Sequence, residues 1–337
     1  MQKYLLKRFL IMMPTLIGIT LVCFGITQIV PGGPVEKAIQ ALKFGGSSQN
    51  ANANMQITEE LREQLKKQYG FDKPIEVRYA NWVKKVVKLD LGESYYFEEP
   101  VIDVIVNRFP VSLTFGIANF ILVYLISIPL GIIKAVKNGS HFDGATSIML
   151  FVAYSIPPFA LGIVLIVFLC GGTYLDWFPL QGLVSETFDE MTPKEQFFDY
   201  IHHVTLPLFC YVIGHFAFLT MLMKNSLIEQ LSTDYHRTAQ AKGLTENQVV
   251  YKHCLRNALI PVATGIGSYI GLFLAGSLLI EEVFGLDGIG RLSYEAILER
   301  DYPIVLAIIL LTAVATLIGN LISDFLYVMI DPRIDFN

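Results

Sequence analysis

An all-α membrane protein that crosses the bilayer six times is the fold this sequence predicts, on three observations. Apolar residues make up 53% of the 337-residue chain and charged residues only 16%, with a mean hydropathy of +0.50, which is not the balance of a soluble domain. Six uncharged stretches, 9–30, 111–133, 144–175, 204–223, 257–280 and 303–323, are each long enough to cross the hydrocarbon core, since about 20 helical residues reach roughly 30 Å. The bases are unevenly shared. With six crossings both termini lie on the side of loops 134–143 and 224–256, where eleven Lys or Arg face three in the opposite short loops 176–203 and 281–302. The positive-inside rule then puts both termini in the cytoplasm.

The first stretch follows Lys3, Lys7 and Arg8 as a signal peptide would, but its 22 residues exceed a typical apolar region and no small-x-small site precedes Pro31, so it reads as a retained helix. Residues 31–110 form an external segment; their eleven bases do not count in the charge rule because the loop is too long. That segment opens on a Gly-Gly-Pro turn and runs through a polar tract at 44–54, a loop by composition. Thr58 caps a short helix over 59–69 closed by Gly70, and Tyr79, Trp82, Val83, Val86 and Leu89 line one face of a second. This stripe can lie on the membrane interface, on another subunit, or within the protein's own outer cap. The remaining five spans belong to a core over 111–337. The third of the six stretches, 144–175, holds 32 residues and contains Pro157 and Pro158, which kink it or divide it into a span and a re-entrant piece.

Several functions are excluded or disfavoured. No Gly-Lys dipeptide occurs, so a phosphate-binding loop of the GxxxxGK[ST] kind is impossible. Gly265, Gly267 and Gly271 lie in an apolar stretch, where small residues let helices pack closely. Cys23, Cys170, Cys210 and Cys254 show neither a CxxC nor ligand-spaced His, so neither a disulfide framework nor a metal site is expected. The net charge of −5 averages two membrane faces and so says nothing about nucleic acid; no nucleic-acid partner is expected of such a membrane protein. The two outer loops carry twelve acids (Asp176, Glu186, Asp189, Glu190, Glu195, Asp199, Glu281, Glu282, Asp287, Glu295, Glu299, Asp301) against three bases. Their summed field suits a cationic partner, or the acids merely tolerate the outer side.

The most informative segment is the loop 224–256. Ser232 or Thr233 can cap a helix from Asp234 to Lys242 that ends at Gly243, and Thr245 with Gln248 forms a capping box for a second helix running toward the membrane. Small Ala239 and Ala241 beside Arg237 and Lys242 suit a short helix seated in a partner's groove, although a basic loop lying on anionic lipid headgroups has the same composition.

The order Asp234-Tyr235-x-Arg237-Thr238-Ala239-x-Ala241-Lys242-Gly243-Leu244, followed by Arg256-Asn257-Ala258-Leu259-Ile260-Pro261, resembles the EAA loop of ABC importer permeases. More narrowly it is similar to the dipeptide/oligopeptide/nickel group. Arg78-Tyr79-x-x-Trp82, Leu89-Asp90-Leu91-Gly92-x-Ser94, Arg108-x-Pro110, Glu282-x-Phe284, Gly288-x-Gly290-Arg291-Leu292, Arg300-Asp301-Tyr302-Pro303 and Asp331-Pro332-Arg333 extend the resemblance over almost the whole chain. Pro31-Gly32-Gly33-Pro34 and Asp287-Gly288 depart from the common pattern toward the microcin C and oligopeptide branch, and Gln240 stands where arginine is frequent. The resemblance implies the type I importer permease fold in a bacterial inner membrane. It also implies a second homologous permease, two cytoplasmic ATP-binding cassette subunits that bind ATP and Mg, and an external substrate-binding protein. This chain would bind no cofactor and catalyse nothing. Residues Asp234 to Leu244 would contain the coupling helix, with Gly243 fixing the angle to the next span.

None of the six stretches contains Lys, Arg, Asp or Glu, so the path is polar without being ionic. Candidates to line it are Asn119, Tyr124, Ser155, Tyr211, His215, Ser268, Tyr269 and Ser277, each equally suited to interhelical hydrogen bonding. A peptide importer is the leading function; a nickel-type permease, an ion-gradient-driven transporter, and an intramembrane protease using Ser268 and His215 are the alternatives.

Overall fold

The computed structural model of the chain describes residues 2–29, 63–64, 67, 72–172 and 174–330. The helices, in order, are α1 (Gln2–Ile29), α2 (Ile75–Val87), α3 (Val101–Val136), α4 (His141–Ser155), α5 (Pro158–Leu169), α6 (Pro193–Leu231), α7 (Asp234–Ala241), α8 (Glu246–Val249), α9 (Leu255–Ala275), α10 (Leu278–Val283), α11 (Ile289–Leu298) and α12 (Tyr302–Ile330), with a π-helical turn at Val250–Cys254 between α8 and α9. Named strands are absent among the described residues, which hold two isolated β-bridges. The expected turn at 31–34, the polar tract at 44–54 and most of the helix at 59–69 lie outside the described residues.

Four helices, α1, α3, α6 and α12, are long and apolar enough to cross a membrane, and α4 with α5 makes a fifth if a pair bent by 92° counts as one span. The bend has a local cause. Ile156 precedes Pro157 and is extended, and Pro157 precedes Pro158 and is extended too, so helix cannot pass through, while Pro158 begins α5 where a missing N–H costs nothing. α9 occupies the remaining expected stretch and ends at Ala275, before Gly276. Five spans defined by length and composition do not establish the count of six.

The chain forms two compact units. One comprises residues 1–10, 108–292 and 312–337, the other 11–107 and 293–311. In the first, α4, α5, α9 and α10 all pack on α6. One core layer joins Val123, Ile132, Met223, Leu227, Val249, Cys254 and Ala258; a second joins Phe115, Val204, Cys210, Tyr211, Ile280, Phe284 and Leu286. α9 and α12 cross at glycine, as the spacing of Gly265, Gly267 and Gly271 suggests. A Cβ on Gly267 would overlap the carbonyl oxygen of Gly319, and one on Gly319 would overlap that of Gly267. Ser323 Oγ secures the crossing, accepting from Gly267 N (2.9 Å) and donating to Thr264 O (3.1 Å).

In the second unit the aromatic stripe of α2 packs on α1. Tyr79 and Trp82 lie 5.4 and 5.9 Å from the Phe24 ring, and Tyr79 Oη is 2.9 Å from Thr20 Oγ1. Packing within the protein is therefore where this stripe goes. Leu89 does not belong to it: α2 stops at Val87, Lys88 caps it, and Leu89 is exposed in a left-handed conformation (φ 62°). The turn ends the 3.6-residue period before its last expected member. Farther along, fully buried Asp301 accepts from Ser94 Oγ and from Tyr96 N (3.1 Å), and Ser94 Oγ in turn accepts from Phe97 N (2.9 Å).

Candidate functional site

The loop between α6 and α9 folds much as its punctuation dictates. Thr233 is the N-cap of α7, and the helix runs over Asp234–Ala241, with Lys242 as C-cap, one residue short of the expected end. Gly243 follows at φ +83°, the left-handed conformation expected of it, and a Cβ built there meets nothing within 4 Å. Leu244 turns back onto the core and Thr245 makes its capping box with Gln248. The π-helical turn then widens the chain before it enters α9.

α7 has two distinct faces. Asp234, Arg237, Thr238 and Ala241, at i, i+3, i+4 and i+7, are all exposed, whereas Ala239 on the opposite side is buried against the core. Of the two alanines expected to allow a partner's approach, only Ala241 faces outward; Ala239 lets α7 pack on its own chain. Arg237 and Asp234 are 3.8 Å apart with both side chains largely exposed, so the pair contributes little to stability. Tyr235 anchors the first turn, donating to Gln230 Oε1 (2.7 Å) and accepting from Asn257 Nδ2 (3.4 Å). Below the loop, Ser226 Oγ donates to Ala258 O (2.9 Å) and ties α6 to α9. The Cys254 thiol, packed beside this hairpin, is pushed up by burial, with a hydrogen bond from Tyr235 opposing.

The pathway candidates separate into two groups and three single residues. Tyr124, Tyr269 and His215 come together: the two tyrosine rings are 5.6 Å apart, His215 is 5.6 Å from Tyr269, and His215 Nδ1 lies 3.1 Å from Tyr211 O. His215 is exposed near the middle of α6, which is not the position of a fully buried packing residue. Tyr211 and Ser277 instead meet at Glu281. Asn119 is fully buried, with neither side-chain polar atom hydrogen-bonded. Ser155 donates back to Phe151 O (2.7 Å) beside the bend, and the side chain of Ser268 lies outside the described residues.

Glu281 overturns part of the acidic-rim picture. Its side chain is fully buried, and Oε1 accepts from Ser112 Oγ (2.9 Å), Tyr211 Oη (2.9 Å) and Ser277 N (3.1 Å), while Oε2 accepts from Arg291 N (3.0 Å). Burial pushes this carboxyl up, and the donors oppose it. Asp199 binds Ser185 N (2.9 Å) and Oγ, Asp287 pairs with Arg108 (2.8 Å), Glu282 with Arg291 (3.4 Å), Asp301 is buried on Ser94, and Glu195 closes the capping box of α6. At least six of the twelve acids thus serve as internal acceptors or ion partners. Glu186, Asp189 and Glu190 are exposed. Replacing these three by Lys is expected to slow substrate capture most at low salt, because a surface field decays over about 8 to 10 Å at physiological ionic strength. Uptake measured across salt concentrations checks this, and an unchanged rate at low salt removes the steering role.

Residues 127–336 match the family described as binding-protein-dependent transport system inner membrane component. Over its full length the chain is 41% identical to the peptidoglycan transport system permease protein YejB of Agrobacterium fabrum, and it covers 99% of that protein. It is 35% identical to the oligopeptide transport system permease protein AppB of Bacillus subtilis, with full coverage of both, and 34% identical to the dipeptide transport system permease protein DppB of Escherichia coli, with 99% of each covered. The chain belongs to this permease family.

In this permease, motifs far apart in sequence meet in space. Ser94 of the Leu-Asp-Leu-Gly-x-Ser segment meets Asp301 of Arg-Asp-Tyr-Pro. Arg108 meets Asp287, and the Gly288-x-Gly290-Arg291 turn wraps the Glu281 carboxylate. A Cβ on Gly276 or Gly288 would overlap a Glu281 oxygen, and one on Gly290 would press on the Ser277 backbone at 2.6 Å. No local periodicity could have shown this. Its one sequence signal is a carboxylate followed within ten residues by a glycine-rich turn.

Proposed function

We propose that this permease is one half of the membrane channel of an ATP-driven importer for peptides or peptide-like compounds. A second homologous permease would complete the path, two cytoplasmic ATP-binding cassette subunits would bind ATP and Mg, and an external binding protein would deliver substrate. Membership of a binding-protein-dependent transport family and relatives named for peptidoglycan, oligopeptide and dipeptide transport support the substrate class. The exposed face of α7 is the single observation that carries the coupling role. Both termini and α7 lie in the cytoplasm, from the distribution of bases.

α7 sits at the tip of a hairpin whose legs, α6 and α9, are bonded through Ser226 and Ala258. An ATPase that draws α7 inward therefore moves both legs together, and such rigid-body motion is how a small shift at one site opens or closes another. Arg237 and Asp234 offer charge-assisted hydrogen bonds to the ATPase groove, and Ala241 allows close approach. The Tyr124, Tyr269 and His215 surface lines the path: an exposed imidazole at bilayer depth belongs against water or protein rather than lipid.

Two substitutions at Gly243 test the coupling role. Because a Cβ there meets open space, the backbone strain is of order 1 kcal/mol, and Asn tolerates the left-handed region. Gly243→Asn is expected to retain most uptake. Gly243→Asp adds a charge at the surface facing the ATPase and is expected to lower uptake at least tenfold while ATP hydrolysis persists. Near-normal uptake by correctly assembled Gly243→Asp complexes would remove α7 from the coupling role.

A further inference from the structure

Three charged residues treated as loop charges by the sequence are buried together at the end of the helices that carries α7. Lys134, in the last turn of α3, is fully buried; Asp143, in the first turn of α4, and Lys224, about two turns before the end of α6 at Leu231, are nearly so. Lys224 Nζ lies 2.7 Å from both carboxylate oxygens of Asp143. Lys134 Nζ lies 3.0 Å from Asp143 Oδ1 and also donates to Asp143 O (2.9 Å), Thr146 Oγ1 (2.6 Å) and Ser147 Oγ (2.9 Å). Asp143 further accepts from Gly139 N (3.2 Å) in the short turn between α3 and α4. One carboxylate thus holds three helices.

Two ammonium groups against one carboxylate leave a buried excess of positive charge, an arrangement that apolar residues of similar size would often match in stability. What an ionic cluster adds over an apolar one is direction: dispersion contacts can be remade in a shifted packing, whereas a carboxylate bonded on both oxygens fixes where its partners stand. The position gives that rigidity a use. Leu227, one turn after Lys224, and Ile132 and Ala135, flanking Lys134, share a core layer with Ala239 of α7. Among the described contacts α4 packs on α6, and this cluster joins α4 to the ends of α3 and α6 that share the core layer of Ala239. We propose that Lys134, Asp143 and Lys224 are positioning residues that make α4, the first half of the bent span, move as one body with the coupling helix. The inference rests on the coupling role proposed for α7.

The test uses the whole complex, with companion permease, ATPases and binding protein, in proteoliposomes. In the uncharged variant, Lys134→Met, Asp143→Leu and Lys224→Met are combined. ATP hydrolysis is expected to stay within about twofold and peptide uptake per ATP to fall at least tenfold; Lys224→Arg, whose fork can reach both Asp143 oxygens, is expected to keep most of the uptake. An unchanged uptake-to-ATP ratio in the uncharged variant overturns the proposal. A second measurement does not depend on substrate. Spin labels at Ile148 on α4 and Gln240 on α7, with the native cysteines replaced by alanine, report their separation by pulsed dipolar spectroscopy in nucleotide-free and ATP-trapped complexes. A separation constant across the two states with the charges present, and broadened or shifted without them, supports the tie. A separation that changes equally with and without the charges overturns it. If the uncharged variant does not assemble, Lys224→Met alone is labelled in its place under the same two outcomes. Absence of ATP-driven peptide uptake by the unaltered complex would count against the peptide importer alone, since the spin-label result stands without it.

Discussion

Glu281→Ala is expected to yield little or no assembled permease. The substitution strips acceptors from Ser112, Tyr211, Ser277 N and Arg291 N in a fully buried site, and each buried donor left unsatisfied costs about 1–3 kcal/mol. Four such losses, about 4–12 kcal/mol together, are comparable to the whole net stability of about 5–15 kcal/mol typical of a folded domain. The cavity left by the side chain adds to the cost, because Gly276, Gly288 and Gly290 were spared side chains to make room for the carboxylate. Glu281→Gln separates shape from charge. Its oxygen keeps three donors and only the Arg291 N–H faces an amide nitrogen, while the cost of burying a charge disappears, so the net change should be within about 2 kcal/mol. Yield of monodisperse protein and its thermal midpoint measure both. An alanine variant as stable as the parent would show that the outer turn does not depend on this carboxylate.

Gly267→Val is the second large effect. The Cβ of any residue at 267 would overlap a backbone oxygen of α12, and backbone cannot swing aside as a flexible side chain can. The two helices would have to separate, which also breaks the bonds of Ser323 to Gly267 N and Thr264 O. The permease is expected to be degraded or to run as aggregate, with Gly267→Ala only partly milder. Size-exclusion profiles decide the matter, and a normal profile for Gly267→Val would mean that α9 and α12 do not cross closely here.

The contrast between α7 and the Glu281 turn shows which parts of the molecule the sequence could disclose. α7 is bounded by local signals: Thr233 at its N-cap position, where the hydroxyl donates back to Gln230 O and not to the helix, a glycine at the left-handed position, and a Thr245–Gln248 box only three residues wide. Such signals are complete within one turn of chain, and so they read correctly. Glu281 finds Tyr211 and Ser112 at separations of 70 and 169 residues, and no spacing rule reaches that far. Counting it with an exposed acidic rim was the natural error. The positive-inside count likewise treated Lys134 and Lys224 as surface charges, although both are buried against Asp143, because orientation statistics are blind to burial. Ala239 shows a subtler limit: composition marked it as small, but only the helix phase shows that it faces the protein's own core.

Transport energetics separate an ATP-driven importer from a gradient-driven transporter. The unaltered complex, reconstituted with binding protein outside and ATP enclosed, should accumulate labelled peptide against its gradient while ionophores hold proton and sodium gradients at zero. Uptake should stop when a non-hydrolysable ATP analogue replaces ATP. Peptide accumulation that proceeds without ATP and collapses with the ion gradients would contradict the account and favour a gradient-driven transporter.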